Sequence, residues 1–354
     1  MRVLIDAYWA HRGVLSLQRV ARSIVDAWSS QFPEDQVIVL VRESGGSEQY
    51  AFAPEVEVLE TTVRPHALVA SVLLPIIGRR LGVDALLSHN FSPQFGPRRG
   101  VLIHDFLFVS NPDWFKLTER LYFSFMPRAA RRADIVFATS KTEGKRIRDA
   151  LGSRALVVEA GMGVRQLSGG IRTPGIGHDL QPGLFLLTVG RLNVRKNLRN
   201  TIRGYLASDA PEMQIPLVVV GRRDGRLEES DFVLAEAEKA RLVRFVDYVD
   251  DAELGWLYEN CLLFIFLSLG EGFGLPPVEA RLAGAPVLSS DLQIFRETLG
   301  DSARYVDPYD VDSIGSAVSD FVHNRVAQLA PLGDESYSWA AVVSRIRAAY
   351  ESIY

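Results

Sequence analysis

Short hydrophobic runs alternate with longer amphipathic stretches along the whole chain. A short apolar run rich in Val, Ile and Leu is typical of a buried strand. An apolar position at every third or fourth residue is typical of a helix that packs on a sheet. The alternation therefore predicts an α/β fold in which helices cover parallel sheets.

The same alternation occurs twice, once in each half of the chain. The first half predicts strands at Val3–Asp6, Val37–Val41, Val56–Glu60, Ala85–Ser88, Val101–His104, Ile135–Thr139 and Ala155–Val158, and helices near 17–30, 67–81, 117–132 and 141–151. The second half predicts strands at Leu184–Val189, Leu217–Val220, Val243–Phe245, Leu263–Leu267, Pro286–Ser289 and Ala303–Val306, and helices near 197–208, 230–240, 251–260, 276–284 and 310–324. We therefore expect two doubly wound, Rossmann-like domains.

A stretch at 166–183 separates the two halves and is rich in Gly, Pro, Ser and polar residues, which is typical of a linker. We expect one domain over 1–165, a second over 184–335, and a closing helix over 336–354 that crosses the domain junction. Doubly wound sheets bind ligands at the carboxyl ends of their strands. The two domains are therefore expected to face each other across a ligand-binding cleft.

The composition, 47% hydrophobic and 23% charged residues, is ordinary for a soluble globular protein. A single cysteine, Cys261, excludes an internal disulfide and favours the reducing cytoplasm. Its apolar surroundings favour a buried side chain over a catalytic thiol. We expect neither a signal peptide nor a membrane-spanning helix, because the chain starts directly as a strand and no apolar stretch reaches about 18–20 residues.

Charge is distributed unevenly along the chain. Residues 1–165 hold 21 Lys/Arg and 17 Asp/Glu, a net charge of +4, and the remainder hold 18 and 26, a net charge of −8. Basic residues concentrate in 128–154, next to the aromatic run at 121–125. This combination suits peripheral contact with an anionic membrane, although a solvated helix and core aromatics are the plainer interpretation. The acidic whole and the lack of a binding motif disfavour nucleic acid as a partner.

The strongest chemical signal lies at 270–280, which read Gly-Glu-Gly-Phe-Gly-Leu-Pro-Pro-Val-Glu-Ala. Glycines let backbone N–H groups approach a ligand closely, and the helix that the prolines would open attracts phosphate at its N-terminus. Glu271 and Glu279 flank this phosphate site, and carboxylates accept hydrogen bonds from hydroxyls. A ligand with both phosphates and sugar hydroxyls, a nucleotide-sugar, fits the motif. A glycine turn made for packing alone is the simpler alternative.

A basic loop follows the predicted strand at 184–189 and reads Gly190-Arg191-Leu-Asn193-Val-Arg195-Lys196-Asn197. Arg191 can bind a diphosphate bidentately and Lys196 can act as a point charge. Such groups stabilise the negative charge that develops on a leaving diphosphate. A solvated surface loop is the alternative interpretation.

A third element is His104-Asp105, at the end of a predicted strand of the first half. A histidine there points toward the expected cleft, where Asp105 would orient it. His89 has a weaker version of this context. The other histidines, His11, His66, His178 and His323, have no comparable context and receive no role.

These elements resemble the retaining GT-B glycosyltransferases of family 4, also described as glycosyl transferases group 1. The resemblance is carried by Gly190-Arg191 with Lys196-Asn197, by Glu271-Gly-Phe-Gly-Leu-Pro with Glu279-Ala, and by Gly284-x-Pro286-Val-Leu-x-Ser290-Asp291. The segments His104-Asp105, Asn111-Pro-Asp-Trp114-Phe, Phe295-Arg296-Glu297 and Val306-Asp307-Pro308, with the Trp339 helix, also match, so the resemblance covers essentially the whole chain. It implies a GT-B fold with an acceptor-side first domain and a second domain that binds the nucleotide-sugar.

The resemblance also implies roles for individual residues. Catalytic roles fall to His104, Arg191, Lys196 and Glu271, and donor-binding roles to Gly190, Asn197, Tyr248, Val249, Gly272, Phe273, Gly274, Leu275 and Glu279. By this resemblance Arg191 and Lys196 would hold the diphosphate, and Glu271 would accept hydrogen bonds from the sugar. Glu279 would bind the ribose, and His104 would lie beside the transferring sugar.

The implied reaction keeps the anomeric configuration and moves a hexose from a GDP-, dTDP- or UDP-sugar to a glycan or polyprenyl-linked acceptor of cell-surface polysaccharide or glycolipid synthesis. Mannose is favoured and rhamnose is an alternative. No cofactor or metal is expected: Asp310 and Asp312 have the spacing of a metal-binding pair, but they open a predicted helix, where Asp is a common cap. We expect the chain in the cytoplasm, with the inner face of the cell membrane as a further candidate location.

The chain departs from the resemblance in one loop. The family's glycine-rich loop after the first strand corresponds here to Gly13-Val-Leu-Ser16-Leu17-Gln18-Arg19, with Ser16 and Gln18 where glycines are expected. We assign these two residues no role. Two other functions share the architecture, a nucleotide-sugar 2-epimerase, which needs no acceptor, and a non-catalytic nucleotide-sugar-binding protein.

Overall fold

The computed structural model describes residues 1–10, 15–43, 52–152, 155–164, 173, 175, 179–191, 193–221, 239–324, 329–333 and 337–353. These residues divide into two compact units, each built on a parallel sheet. The first unit carries strands β1 to β7 and the final helix, and the second carries β8 to β13.

The first sheet has the strand order β3-β2-β1-β4-β5-β6-β7. Its strands are β1 Arg2–Asp6, β2 Gln36–Arg42, β3 Glu57–Thr61, β4 Ala85–His89, β5 Arg99–Ile103, β6 Ile135–Ala138 and β7 Val157–Glu159. The register pairs Ile5 with Val39 on one side and with Leu87 on the other. Chain order reverses between β1 and β4, the place where doubly wound sheets bind ligands.

The second sheet repeats this topology with the order β10-β9-β8-β11-β12-β13. Its strands are β8 Leu186–Val189, β9 Leu217–Val220, β10 Val243–Val246, β11 Leu263–Phe266, β12 Val287–Ser290 and β13 Arg304–Val306. Leu186, Leu217 and Leu263 are fully buried, because helices cover both faces of a parallel sheet. Every predicted strand is confirmed, and no end differs by more than two residues.

The helices follow the strands as the amphipathic stretches predict. They are α1 Leu15–Gln31, α2 His66–Leu68, α3 Leu74–Leu81, α4 Leu107–Ser110, α5 Leu117–Phe123, α6 Met126–Ala130, α7 Lys141–Leu151, α8 Leu198–Leu206, α9 Asp251–Asn260, α10 Leu275–Leu282, α11 Gln293–Leu299, α12 Val311–Asn324 and α13 Trp339–Ser352. Residues 69–73 join α2 to α3 as one π-helical segment. The predicted helix at 230–240 lies almost entirely outside the described residues, and so do Gly13 and Val14 of the segment that departs from the family pattern. Ser16 and Gln18 of that segment lie in α1, not in a loop. None of the described helices is both long enough and apolar enough to cross a membrane.

One helix prediction was wrong, the continuous helix at 117–132. The structure divides it into α5 and α6. Pro127 has no backbone N–H to donate to the carbonyl four residues earlier, at Phe123, so the regular helix cannot continue there. The short helix α4 and the helix α11 have no counterpart in the sequence prediction.

The final helix α13 packs on the first unit. Tyr350 is fully buried, and its hydroxyl donates to the carbonyl of Leu86 at 2.7 Å. Nε of Arg347 donates to the Asp35 carboxylate at 2.9 Å. Helix α13, which follows the second unit in the sequence, therefore completes the packing of the first unit.

Candidate functional site

The loops after β8 and β11 form the candidate site of the second unit. β8 pairs with β9 on one side and with β11 on the other, so chain order reverses between β8 and β11. A doubly wound sheet binds ligands in the crevice at such a reversal. The basic loop 190–197 follows β8 and the Glu271 loop follows β11, so the two predicted motifs meet at this point.

Lys196 and Glu271 form an ion pair between these loops. Nζ of Lys196 lies 2.7 Å from Oε1 of Glu271. Nη2 of Arg195 lies 3.8 Å from Oε2 of the same carboxylate. The Lys196 ammonium also lies 4.4 Å from the centre of the Phe266 ring, at the end of β11. Two cations of one loop therefore hold the carboxylate of the other.

Glu271 is ionised at neutral pH in this environment. The residue is only 8% exposed, and burial alone would raise its pKa. The charges of Arg195 and Lys196 outweigh burial and hold the pKa of Glu271 below its ordinary value. A carboxylate in this state only accepts hydrogen bonds, so it suits a ligand that presents hydroxyl or N–H donors.

A small recess, open to solvent, lies beside the ion pair. Its lining consists of Thr188, Val189, Gly190, Lys196, Leu198 and Phe266. Gly190 has a φ of 149°, and a Cβ atom at this position would lie 3.2 Å from Cε of Lys196. The missing side chain of Gly190 thus leaves room for the lysine at the edge of the recess.

Hydrogen bonds fix the backbone of the basic loop. The Asn193 side chain accepts from the amide of Lys196 at 3.2 Å, and the amide of Leu269 donates to the carbonyl of Arg195 at 2.8 Å. Asn197 adopts a left-handed conformation, with φ 53°, and its Nδ2 donates to the carbonyl of Pro308 at 2.7 Å. The side chain of Asn197, a predicted donor-binding residue, therefore holds the loop in place.

The glycine-rich turn leads directly into helix α10. Gly274 has a φ of 89°, a left-handed value that favours glycine, and it caps the helix. A Cβ atom on Gly274 would lie 2.7 Å from Cε1 of Phe295. A proline stands in the first turn, as the sequence predicts. Both conformation and space therefore require glycine at this position.

The other predicted donor residues lie on neighbouring loops or on α10. Arg191 is exposed directly after β8, and Tyr248, exposed, and Val249, buried, follow β10. Gly272 and Phe273 are buried between Glu271 and α10, which begins at Leu275. Glu279 lies within α10, where its Oε2 accepts from the Tyr258 hydroxyl at 3.3 Å. Because β8, β10 and β11 run parallel, their carboxyl ends lie along one edge of the sheet. The roles of these residues stay predictions.

A second polar cluster lies where chain order reverses in the first sheet. Asp6 ends β1, His89 ends β4 and His104 follows β5. Oδ2 of Asp6 lies 2.7 Å from Nε2 of His66 and accepts from the amide of His89 at 3.3 Å. Nδ1 of His89 lies 3.2 Å from Nε2 of His104, and the two rings stack 5.3 Å apart at 11°. One carboxylate and three imidazoles therefore form a continuous set of contacts.

His89 and His104 are neutral at pH 7. Burial lowers the pKa of His89 to about 4 and that of His104 to about 3. A neutral imidazole carries a single N–H, so the hydrogen bond between the rings couples their tautomers. Within the described part of the chain, the buried Nε2 of His89 has no hydrogen-bond partner. Whether Nδ1 of His104 donates or accepts a hydrogen bond therefore depends on which ring nitrogen of His89 carries the proton.

Two further side chains hold the turn that carries His104. Oδ1 of Asn90 accepts from the amide of His104 at 3.2 Å. Oε1 of Glu143 accepts from the amide of Phe106 at 2.7 Å. Glu143 is fully buried, and burial raises its pKa to about 8. Both side chains accept hydrogen bonds from backbone amides, not from the His104 ring. They therefore position the turn that carries His104.

Sequence reasoning missed three members of these clusters. It gave no role to Asp6, Arg195 or His66, and the structure places Nε2 of His66 2.7 Å from Oδ2 of Asp6. Asp6 ends a buried strand and Arg195 stands next to Lys196, so both carried a usable signal. His66 carried none, because its contact with Asp6 spans 60 residues and depends on the strand order.

Comparison with known proteins gives a family match for the part of the chain that carries Lys196 and Glu271. Residues 180–339 match the family Glycosyl transferases group 1. The chain is 29% identical over 173 residues to the O-antigen chain mannosyltransferase B of Escherichia coli. This alignment covers 47% of this chain and 45% of the relative. It is also 29% identical over 241 residues to the GDP-mannose:cellobiosyl-diphosphopolyprenol alpha-mannosyltransferase of Xanthomonas oryzae. This second alignment covers 64% of this chain and 61% of the relative. The matches thus span less than two thirds of the relatives' own length.

A solved structure extends the similarity to the whole fold. Sucrose-phosphate synthase from Thermosynechococcus elongatus superposes with a TM-score of 0.73, covering 100% of this chain and 99% of that chain, at 17% sequence identity. At this identity the likeness concerns the fold alone. The predicted pair of Rossmann-like sheets and the resemblance to GT-B proteins of group 1 are confirmed.

Proposed function

We propose that this chain, whose residues 180–339 are a Glycosyl transferases group 1 domain, is a retaining glycosyltransferase that moves a hexose from a nucleoside-diphosphate sugar to a glycan or lipid-linked acceptor. The observation that carries the proposal is the contact between Lys196 and Glu271 at the strand-order reversal of the second sheet. It places an anion-binding ammonium beside an ionised hydrogen-bond acceptor. A diphosphate linked to a sugar presents matching groups at this short spacing.

The proposed mechanism assigns the two charges to the two parts of the donor. Lys196, with Arg191 and Arg195, binds the diphosphate and stabilises the negative charge that it gains as leaving group. An ammonium has three N–H donors, so the bond to Glu271 does not exhaust Lys196. Glu271 accepts hydrogen bonds from the sugar hydroxyls and fixes the anomeric carbon. Glu279 binds the ribose.

The transfer breaks the bond between the anomeric carbon and the diphosphate oxygen and forms a bond from that carbon to the acceptor oxygen on the same face. The acceptor proton passes to the departing phosphate oxygen, so the step needs no carboxylate nucleophile. Cationic side chains supply the charge stabilisation, and the proposal includes no metal or other cofactor. We further propose that His104, held neutral by burial, hydrogen-bonds to the transferring sugar.

Mannose from GDP-mannose is the proposed donor group, and rhamnose from dTDP-rhamnose or a UDP-sugar is the alternative. The proposal for mannose rests on two relatives, an O-antigen chain mannosyltransferase and a GDP-mannose:cellobiosyl-diphosphopolyprenol alpha-mannosyltransferase. The same two relatives support a glycan or polyprenyl-linked acceptor of polysaccharide or glycolipid synthesis. A lipid-linked acceptor lies in a membrane, so the chain would work in the cytoplasm at the inner membrane surface.

Donor binding to purified protein tests the proposal. A thermal-shift panel of GDP-, dTDP- and UDP-sugars should raise the melting temperature with one nucleotide, because a ligand that binds only the folded state stabilises it. The variants Lys196→Ala and Glu271→Ala should lose most of this shift. Lys239→Ala and Glu212→Ala, which remove exposed charges of the second unit, should keep it. The absence of a shift with every nucleotide-sugar, or equal shifts in all four variants, would contradict the proposal.

Two incubations separate the other functions of this architecture. Donor alone should remain unchanged apart from slow hydrolysis, whereas a sugar inverted at C2 would identify a 2-epimerase. Donor binding by calorimetry without turnover on any acceptor would identify a non-catalytic sugar-nucleotide-binding protein.

A further inference from the structure

Three large apolar side chains of the first unit are exposed in one row. Leu117 is 78% exposed, Leu121 is 67% exposed and Phe125 is 59% exposed. They are spaced four residues apart, the spacing that places side chains on one face of a helix. Leu117 and Leu121 belong to α5, and the amide of Ser124 still bonds to the carbonyl of Arg120 at 2.9 Å after α5 ends. We name Leu117, Leu121 and Phe125 the apolar row.

Other side chains attach this segment to the first unit. Tyr122 packs edge-on against Phe91 at 5.1 Å between ring centres, and its hydroxyl accepts from the amide of Ala67 at 3.3 Å. Phe123 packs against Phe108 at 5.5 Å. Tyr122 and Phe123, which lie between members of the apolar row in the sequence, therefore pack against the first unit. The row itself faces away from that packing.

Two further large apolar side chains are exposed on the segment that contacts Tyr122 of α5. Leu68 is 45% exposed and Val72 is 38% exposed, one helical turn apart on the neighbouring segment. Ala67, next to Leu68, is the residue whose amide contacts Tyr122. Single exposed apolar residues are normal on a protein surface, but a contiguous group of large ones marks an interaction surface.

The segment that carries the apolar row also carries cationic side chains. Arg120, Arg128, Arg131 and Arg132 are exposed on the same segment. Glu119, half-buried, is the acidic residue within residues 117–132. The segment therefore combines a net positive charge with protruding leucine and phenylalanine side chains. An acidic protein partner would need a separate apolar groove, whereas an anionic bilayer surface offers both kinds of contact at once.

We propose that the apolar row and its arginines dock the first unit on an anionic membrane surface. The apolar side chains enter the boundary between headgroups and acyl chains, and the arginines contact lipid phosphates. Each arginine near such a surface contributes about a fivefold gain in affinity at low salt. This inference goes beyond the transfer reaction and does not depend on the identity of the donor.

Vesicle sedimentation of the full chain tests the docking surface. Wild-type protein should sediment with phosphatidylcholine vesicles that contain 30 mol% phosphatidylglycerol in about 50 mM salt, and much less with pure phosphatidylcholine. Raising the salt to about 500 mM should weaken the binding, because the charges are then screened. A variant with Leu117→Ser, Leu121→Ser and Phe125→Ser should bind at least about tenfold more weakly, because three apolar groups no longer leave water.

Matched variants separate docking from general effects. Met213→Ser with Tyr309→Ser removes two apolar side chains of the second unit that are 49% and 66% exposed, and it should bind like wild type. Arg128→Gln with Arg132→Gln should lower the affinity about 25-fold and reduce the salt dependence. Because all these side chains are exposed, the variants should keep the wild-type melting temperature and the wild-type nucleotide-sugar shift.

Three results would overturn the inference. The first is no binding of the wild type to anionic vesicles at low salt. The second is equal binding by the row variant and by the Met213/Tyr309 control. The third is a concentration-dependent dimer that the row substitutions abolish, without any vesicle binding, which would assign the surface to a second copy of the chain. A loss of donor binding would leave the vesicle result unchanged, so the two proposals fail separately.

Discussion

Removing Lys196 should destabilise the second unit, because it leaves Glu271 buried with a weaker partner. In the native site Nζ of Lys196 is 2.7 Å from the carboxylate, and Arg195 is 3.8 Å away. Loss of one partner of a fully buried ion pair costs about 3–5 kcal/mol. Arg195 remains in Lys196→Ala, and both members of the pair are slightly exposed. We therefore expect the free energy of unfolding to fall by about 2 kcal/mol.

A second substitution tests the cause of this loss. Glu271→Gln removes the charge that Lys196→Ala leaves without its closest partner, so the double variant should recover about 1 kcal/mol relative to Lys196→Ala. Urea unfolding followed by circular dichroism measures all four proteins. Donor binding should not recover in the double variant, because neither charge is present. A double variant as unstable as the sum of the two single variants would refute the reasoning.

The pH dependence of the same pair has a definite sign. The pKa of Glu271 is lowered in the folded protein, so its contribution is present above the ordinary carboxyl pKa and is lost as the pH falls through the folded value. The stability difference between wild type and Lys196→Ala should therefore be largest near pH 7 and shrink in acid. A difference that is constant from pH 7 to pH 3 would contradict the assignment of the lowered pKa to this ion pair.

Three further predictions concern the fold around the two clusters. The folded pKa values of His89 and His104, about 4 and 3, lie below the ordinary 6.5, so the unfolding free energy should fall as the pH falls below about 6.5. The loss should reach up to about 1.4 kcal/mol per pH unit for each ring. Urea midpoints at pH 7 and pH 5 measure this loss, and His104→Asn should reduce it. Gly274→Ala combines a left-handed φ with a steric clash and should cost about 2–3 kcal/mol in thermal unfolding, whereas Gly284→Ala, with φ 92° and open space, should cost about 1 kcal/mol. Tyr350→Phe removes a buried hydrogen bond to a backbone carbonyl of β4 and should lower the unfolding free energy by about 1–2 kcal/mol.

The strands could be predicted from the sequence because parallel strands are covered on both faces. Each one is a short, nearly continuous apolar run, such as Leu217–Val220 and Leu263–Phe266, and such runs stand out without knowledge of their partners. The short helix α4 could not be predicted in this way, because four residues are too few for a helical period. The interruption near Pro127 was readable from the sequence, since a proline inside a helical pattern ends or kinks the helix.

The site could be predicted only where a local motif carries it. Lys196 and Glu271 each stand in a recognisable segment, but their contact joins residues 75 positions apart and depends on β8 lying next to β11. The Asp6–His66 contact and the stacking of His89 on His104 depend in the same way on the order of β1, β4 and β5. Neither set of distances follows from residue spacing along the chain.

Product formation tests the central claim most directly. Purified protein is incubated with the nucleotide-sugar that gives the largest thermal shift and with a polyprenyl-linked or oligosaccharide acceptor, and the nucleoside diphosphate and the glycosylated product are both quantified. The account predicts one nucleoside diphosphate per transferred hexose, a product with the donor's anomeric configuration, and a loss of about a hundredfold or more in Lys196→Ala and Glu271→Ala with Lys239→Ala unaffected. Transfer that proceeds at the wild-type rate in both site variants would contradict it.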